Sequence, residues 1–161
     1  MLVSGEIFFI TCNLLRSRLA FTDLDSSCLV TAFQGVRERR RFLLAGYVFM
    51  PDHWHALIIP GEGDTLPNLM GALKVGAMRR VNARRGKRGS LWEPRFFDEI
   101  ILTVKQYRDT LDYMHLNPVA KGLVLKPEDW AWSSFRSFGG NGEIKMNVDL
   151  LDMPADENNR L

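Results

Sequence analysis

The strongest constraint on the fold lies in one segment, Tyr47-Val48-Phe49-Met50-Pro51-Asp52-His53-Trp54-His55-Ala56-Leu57-Ile58-Ile59. Apolar, β-favouring residues flank Pro51-Asp52 on both sides, so the segment reads as a buried strand hairpin turned at that dipeptide. In a strand, residues i and i+2 share a face. His53 and His55 therefore leave the sheet side by side, and Trp54 points to the other face. The chain has three histidines, and two of them stand here. Two imidazoles at this spacing can ligate one divalent metal ion, although such a pair in a strand is more often structural.

The rest of the chain builds around this hairpin. Ile7 to Asn13 is a short β-rich run and reads as strand one. Thr22 or Asp23 can cap a helix running to about Arg40. Phe42 to Phe49 and His53 to Ile59 are strands two and three. After a Gly-rich loop, Thr65 caps a second helix, with Pro67 in the first turn, where proline is tolerated. Leu66, Leu69, Met70, Leu73, Ala77 and Val81 follow helical spacing and should pack on the sheet. Gly86 to Ser90 reads as a flexible basic loop and Arg95 to Thr103 as strand four. Lys105 to about Leu116 is a third helix, expected to end there because proline disfavours helical geometry at the preceding residue, Asn117. The order β-α-β-β-α-β-α is a split β-α-β, ferredoxin-like α+β sandwich. Its sheet is expected to be antiparallel, with helices on one face and an extra C-terminal helix. Residues 1–138 form the expected single domain, and 139–161 read as a loose acidic tail.

Composition narrows the classes. At 161 residues, 46% hydrophobic and 25% charged, the chain suits one globular domain. It has no apolar run of membrane-spanning length and no basic leader before an apolar stretch. Cys12 and Cys28 read as buried free thiols, which fits a reducing cytoplasm. The net charge is only +2, but the charges are clustered. Arg37, Arg39, Arg40 and Arg41 form one group. Lys74, Arg79, Arg80, Arg84, Arg85, Lys87 and Arg88 form another. Two basic patches suit a phosphate backbone, and solvated helix ends are the ordinary alternative.

The third helix carries a second set of candidates. Tyr107, Leu111 and Met114 fall at helical spacing and form a core stripe. Tyr113 points away from that stripe, and Asn117 follows one turn later on its face. Two imidazoles and an amide oxygen could hold a metal ion, and the mixed nitrogen and oxygen set suits Mn²⁺ or Mg²⁺. The ion could polarise a phosphodiester while tyrosine attacks phosphorus. Each residue also has a plain structural reading: Asn117 as a helix cap, Tyr113 as a surface residue, and His115 as structural or DNA-contacting.

Taken together these segments resemble the single-tyrosine HUH transposases, and within them the REP-associated tyrosine transposases of bacteria. The resemblance runs from Phe8 to about Phe138. Its landmarks are Phe8-Phe9-Ile10-Thr11, Met50-Pro51-Asp52-His53-Trp54-His55, Leu91-Trp92-Glu93-Pro94-Arg95-Phe96-Phe97, Asp112-Tyr113 through Asn117-Pro118-Val119, and Asp129-Trp130-Ala131-Trp132-Ser133-Ser134-Phe135. Glu93 stands where members commonly carry glutamine. Only Met1 to Glu6 precede strand one, where members tend to carry a basic, aromatic leader.

The resemblance implies that His53, His55 and Asn117 are metal ligands and that Tyr113 is the nucleophile. It implies cleavage and transfer of single-stranded DNA through a 5′-phosphotyrosine link at hairpin-forming repeats. The basic clusters, with Trp92 and Arg95, are the candidates for backbone contact and base stacking. The expected partner is single-stranded or hairpin DNA, and the expected state is monomer or homodimer. Two other functions remain open at this point. One is a DNA-binding regulator that keeps the fold without the chemistry. The other is a metal hydrolase with water as nucleophile.

Overall fold

The computed structural model describes residues 5–161. The first strand, β1, spans Ile7–Asn13, and helix α1 spans Asp23–Arg40. The central hairpin is formed by β2, Leu43–Phe49, and β3, His53–Ile59. Then come α2, Leu66–Arg85, β4, Phe97–Ile101, and α3, Val104–Ala120. Two 3₁₀ turns follow at Pro127–Asp129 and Ser134–Phe138. The strands lie in the order β2-β3-β1-β4, and every neighbouring pair is antiparallel. This is the expected split β-α-β sheet, with β1 and β3 in the centre.

Alternation along the strands sorts the core into two layers. Trp54, Ala56 and Ile58 of β3 join Ile10 and Cys12 of β1 beneath α1 and α2. Leu57 and Ile59 face the other way and join Ile7, Val48, Ile101 and the α3 stripe Tyr107, Leu111 and Met114. The two crossover helices thus cover one face, and the extra helix covers the opposite one. Trp54 is fully buried, with its ring edge-on to Phe33 at 5.0 Å between centroids. Its truncation to alanine should cost about 3–5 kcal/mol.

Local signals explain the helix ends. Thr22 Oγ1 accepts from the Asp25 N–H, and the Asp25 carboxylate accepts from the Thr22 N–H, closing a capping box. Thr65 caps α2 through the Asn68 N–H, and Gly86 ends it in the left-handed region at φ 63°.

Helix α3 does not end before Asn117. It runs through Pro118 to Ala120. A proline in the last turn removes one N–H that would have bonded within the helix. The Lys121 N–H still donates to the Asn117 carbonyl and the Leu123 N–H to the Pro118 carbonyl, and the proline ring is buried. Asn117 is therefore held helical, one turn beyond Tyr113.

Two other expectations are corrected. The segment 139–161 is not a loose tail. Met146 is buried in the core, and Asp149 pairs with Leu44 of edge strand β2 through its backbone and its carboxylate. Arg37 donates to the same carboxylate and to the Asn147 carbonyl. Farther on, the Val104 and Lys105 N–H groups donate to the Asn159 and Glu157 carbonyls. The unpaired edge of β2 and the first turn of α3 supply hydrogen-bond partners that composition does not show. Likewise the 86–90 loop is tied down, because Arg18 donates to the carbonyls of Arg88, Gly89 and Ser90. No described helix is long and apolar enough to cross a membrane.

Candidate active site

The histidine pair sits at the start of β3, a strand bonded on both sides. His55 is directly opposite Thr11 of β1, and His53 opposite Asn13. The imidazole centroids are 4.7 Å apart. Each δ nitrogen is occupied. His53 Nδ1 lies 2.6 Å from Asp52 Oδ1, and His55 Nδ1 lies 2.9 Å from Thr11 Oγ1. A carboxylate on Nδ1 favours the tautomer that leaves Nε2 with a free lone pair, the form a metal-ligating imidazole needs. Burial, and then the neighbouring His53, push the His55 pKa down to about 4, so the ring is neutral at neutral pH.

Tyr113 meets this pair across the sheet face. Its ring stands 5.6 Å from that of His55 and edge-on to Phe9 at 6.2 Å. Phe9 in turn stacks on His55 at 5.1 Å. The tyrosine is 55% exposed. The core stripe of α3, Tyr107, Leu111 and Met114, fixes this placement. Leu111 packs above Gly46, which is paired with Leu57, and Tyr113 then falls above His55. Asn117 follows one turn after Tyr113 on the same helix. The Asn117 side chain is buried, and its Oδ1 has no hydrogen-bond partner among the described residues. A buried amide oxygen without a partner is costly unless something else satisfies it. No group of three His, Cys, Asp or Glu side chains suited to a metal occurs among the described residues. The available donor set is two imidazoles and this amide oxygen.

The third histidine is elsewhere. His115 is buried, with Nε2 at 2.8 Å from Ser134 Oγ and with Phe135 and Phe138 around it. It pins the 3₁₀ turn to α3, which gives it a structural place.

The basic residues divide. Arg39, Arg40 and Arg41 end α1 at the far end of the sheet, where Arg40 pairs with Asp64. The length of β3 separates that end from His53, about 20 Å at 3.3 Å per residue. Arg84 and Arg85 both clamp the buried carboxylate of Asp25. Burial would raise the Asp25 pKa, but bonds from Arg85, the Thr22 N–H and Arg84 hold it well below the carboxylate range. Lys74 donates to the carbonyls of Glu93 and Pro94, and Trp92 is buried with its indole N–H on the Lys74 carbonyl. These side chains therefore have partners within the fold. Arg79, Arg80, Lys87, Arg88 and Arg95 make no side-chain hydrogen bond or ion pair among the described residues. Sequence reading missed Phe9, Thr11, Asp52 and Arg18. Phe9, Thr11 and Asp52 lie in segments that carry the family resemblance, but no sequence signal assigned them a place in the site.

One sheet face thus carries two paired imidazoles beneath an exposed tyrosine. The family model described as IS200-like transposase matches residues 5–116, and the chain belongs to that family of enzymes. Within it, the chain is 27% identical over 158 residues to the REP-associated tyrosine transposase of Escherichia coli K12, spanning 96% of this chain and 93% of that one. A relative from Haemophilus influenzae is 26% identical over 167 residues, covering 91% and 94%. A solved structure of a REP-associated tyrosine transposase bound to a REP hairpin superposes with a TM-score of 0.73 at 27% identity, covering all of this chain and 95% of that one.

Proposed function

We propose that this chain cuts and rejoins single-stranded DNA at hairpin-forming repeats, with Tyr113 as nucleophile. The observation that carries this reading is the exposed tyrosine ring set 5.6 Å from His55. The phenolic oxygen of Tyr113 would bond to the scissile phosphorus while the bond to the 3′-oxygen breaks. The phenol gives up a proton and the departing 3′-oxygen takes one up, leaving a 5′-phosphotyrosine and a free 3′-hydroxyl. Rejoining is the reverse with another 3′-hydroxyl, and it needs no nucleotide triphosphate because the phosphodiester is conserved. The resemblance to a protein solved with a REP hairpin supports hairpin DNA as substrate.

The residues fit a divalent ion. His53 and His55 would hold it through Nε2, and Asn117 through the amide oxygen that otherwise lacks a partner. Mn²⁺ or Mg²⁺ bound there would act as a Lewis acid on the phosphoryl oxygens. Asp52 and Thr11 orient the two rings, and Phe9 shields His55 from water. The free thiols Cys12 and Cys28 suit a cytoplasmic setting.

The test is a trapping assay. The protein is mixed with labelled hairpin DNA from the repeats of its own genome and Mn²⁺ or Mg²⁺, then run on a denaturing gel. A protein–DNA adduct lost in Tyr113→Phe and in chelator is the expected result. Cleavage without an adduct would point to a water nucleophile. Tight binding with neither, across several repeats, would leave a DNA-binding regulator.

A further inference from the structure

Beyond the tyrosine and the histidines, the same sheet face continues into a groove at the end of β1. Phe97 is the first residue of β4 and is paired with Thr11, which is paired on its other side with His55. The three side chains therefore form one row on one face. Phe97 is 61% exposed and forms part of a groove of about 530 Å³ with Asn13, Arg16, Asp52 and Glu93. A single exposed phenyl is ordinary on a protein surface. This one is set apart by what surrounds it. The side chains of Arg16 and Glu93 have no ion pair or hydrogen bond among the described residues, and Asp52 is the residue that holds His53. The groove shares Arg18 and Ala20 with a second one of about 480 Å³, flanked by Lys87 and Arg88.

The charges assign the occupant. Asp52 and Glu93 repel a phosphate, so the strand's backbone would not lie against them. A base has an apolar face that can stack on phenylalanine, and some bases have an exocyclic amine that a carboxylate accepts. The neighbouring Arg16, Lys87 and Arg88 suit the flanking phosphates.

We propose that this groove holds one unpaired nucleobase of the DNA strand, stacked on Phe97, with its exocyclic amine on Glu93. The subsite selects cytosine, adenine or guanine over thymine at one position. It rests on the reading of single-stranded DNA as the ligand, and not on Tyr113 being the nucleophile.

The experiment is a binding titration in chelator, so that no strand is cut. The probe is a fluorescent hairpin from the genome's palindromic repeats with short unpaired arms, each arm base replaced in turn by an abasic residue. At one position the abasic residue should weaken binding to the wild type about tenfold. It should weaken binding to Phe97→Ala about twofold or less, and Phe97→Trp should keep the wild-type response. Thymine at that position should bind more weakly than cytosine, and Glu93→Ala should erase the difference. A thermal melt checks that the variants fold, and Phe97→Leu serves as a second apolar truncation. Equal abasic effects on wild type and Phe97→Ala at every position would overturn the subsite alone. Failure of the folded wild type to bind any hairpin would overturn it together with DNA as ligand. Binding with the expected coupling but no covalent adduct would leave the subsite standing and sink the tyrosine chemistry.

Discussion

The ring of Tyr113 stands at 65° to that of His55, with Phe9 touching both. One residue belongs to a central strand and the other to a helix that follows the edge strand. Their meeting depends on which face α3 covers, and the first predictions probe that placement.

Tyr113→Phe should remove all covalent DNA product while leaving stability within about 0.5 kcal/mol, because the side chain is exposed. Urea unfolding beside the trapping gel separates the two effects. A large loss of stability would mean that the hydroxyl serves the fold.

Gly46→Ala should loosen the α3 face. A Cβ there would come within 2.7 Å of Leu111 Cδ2 and 3.0 Å of Met114 Cε, both ends of flexible side chains. The overpacking should cost about 1 kcal/mol, near the low end for such changes. Strand transfer should fall more than stability does, since the displaced helix carries Tyr113. Single-turnover rates compared with unfolding midpoints would test this.

Asp25→Ala should be severe. It leaves the Arg84 and Arg85 guanidinium groups without their shared carboxylate and opens the α1 capping box. Breaking a buried pair costs about 3–5 kcal/mol. The wild-type carboxyl titrates well below its unfolded value of about 3.9, so its stabilisation is present above that pH and is lost as pH falls further. Unfolding midpoints of wild type and Asp25→Asn should converge in strong acid.

His115 should add a second acid sensitivity. Burial pushes its pKa down to about 4, from an unfolded value of about 6.5. The folded state holds it neutral, so its contribution is complete above about pH 6.5 and is lost as pH falls toward 4. His55 follows the same rule, with its pKa also pushed down to about 4. His115→Gln should flatten part of the fall in unfolding midpoint between those values. An unchanged profile would remove His115 as a cause.

The order of elements was legible because hydrophobic periodicity and caps such as Thr22 and Thr65 are local signals. So was the split of β3 into a Trp54 face and a histidine face, since alternation needs no knowledge of the partner strand. The Pro118 rule failed because burial and the bonds beyond it outweigh a local steric preference. Arg84 and Arg85 read as part of a basic patch for a phosphate backbone, and their ion pair with Asp25 was hidden because Asp25 lies on another helix. Met146 and Asp149 sit in a stretch whose composition suggests looseness. Their anchors, the core and the Leu44 backbone, are invisible without the fold. Thr11 and Phe97 gain their place from strand register, which pairs Thr11 with His55 on one side and with Phe97 on the other.

That register has a further consequence. The seven residues of β3 hold two populations under different rules. Trp54, Ala56 and Ile58 answer to volume, and His53 and His55 answer to chemistry. A single inserted or deleted residue in the turn at Pro51-Asp52 would exchange them, sending the imidazoles into the core and the indole into solvent. The strand behaves like a reading frame. Substitutions within it can be absorbed one at a time, while a shift of one step erases stability and chemistry together.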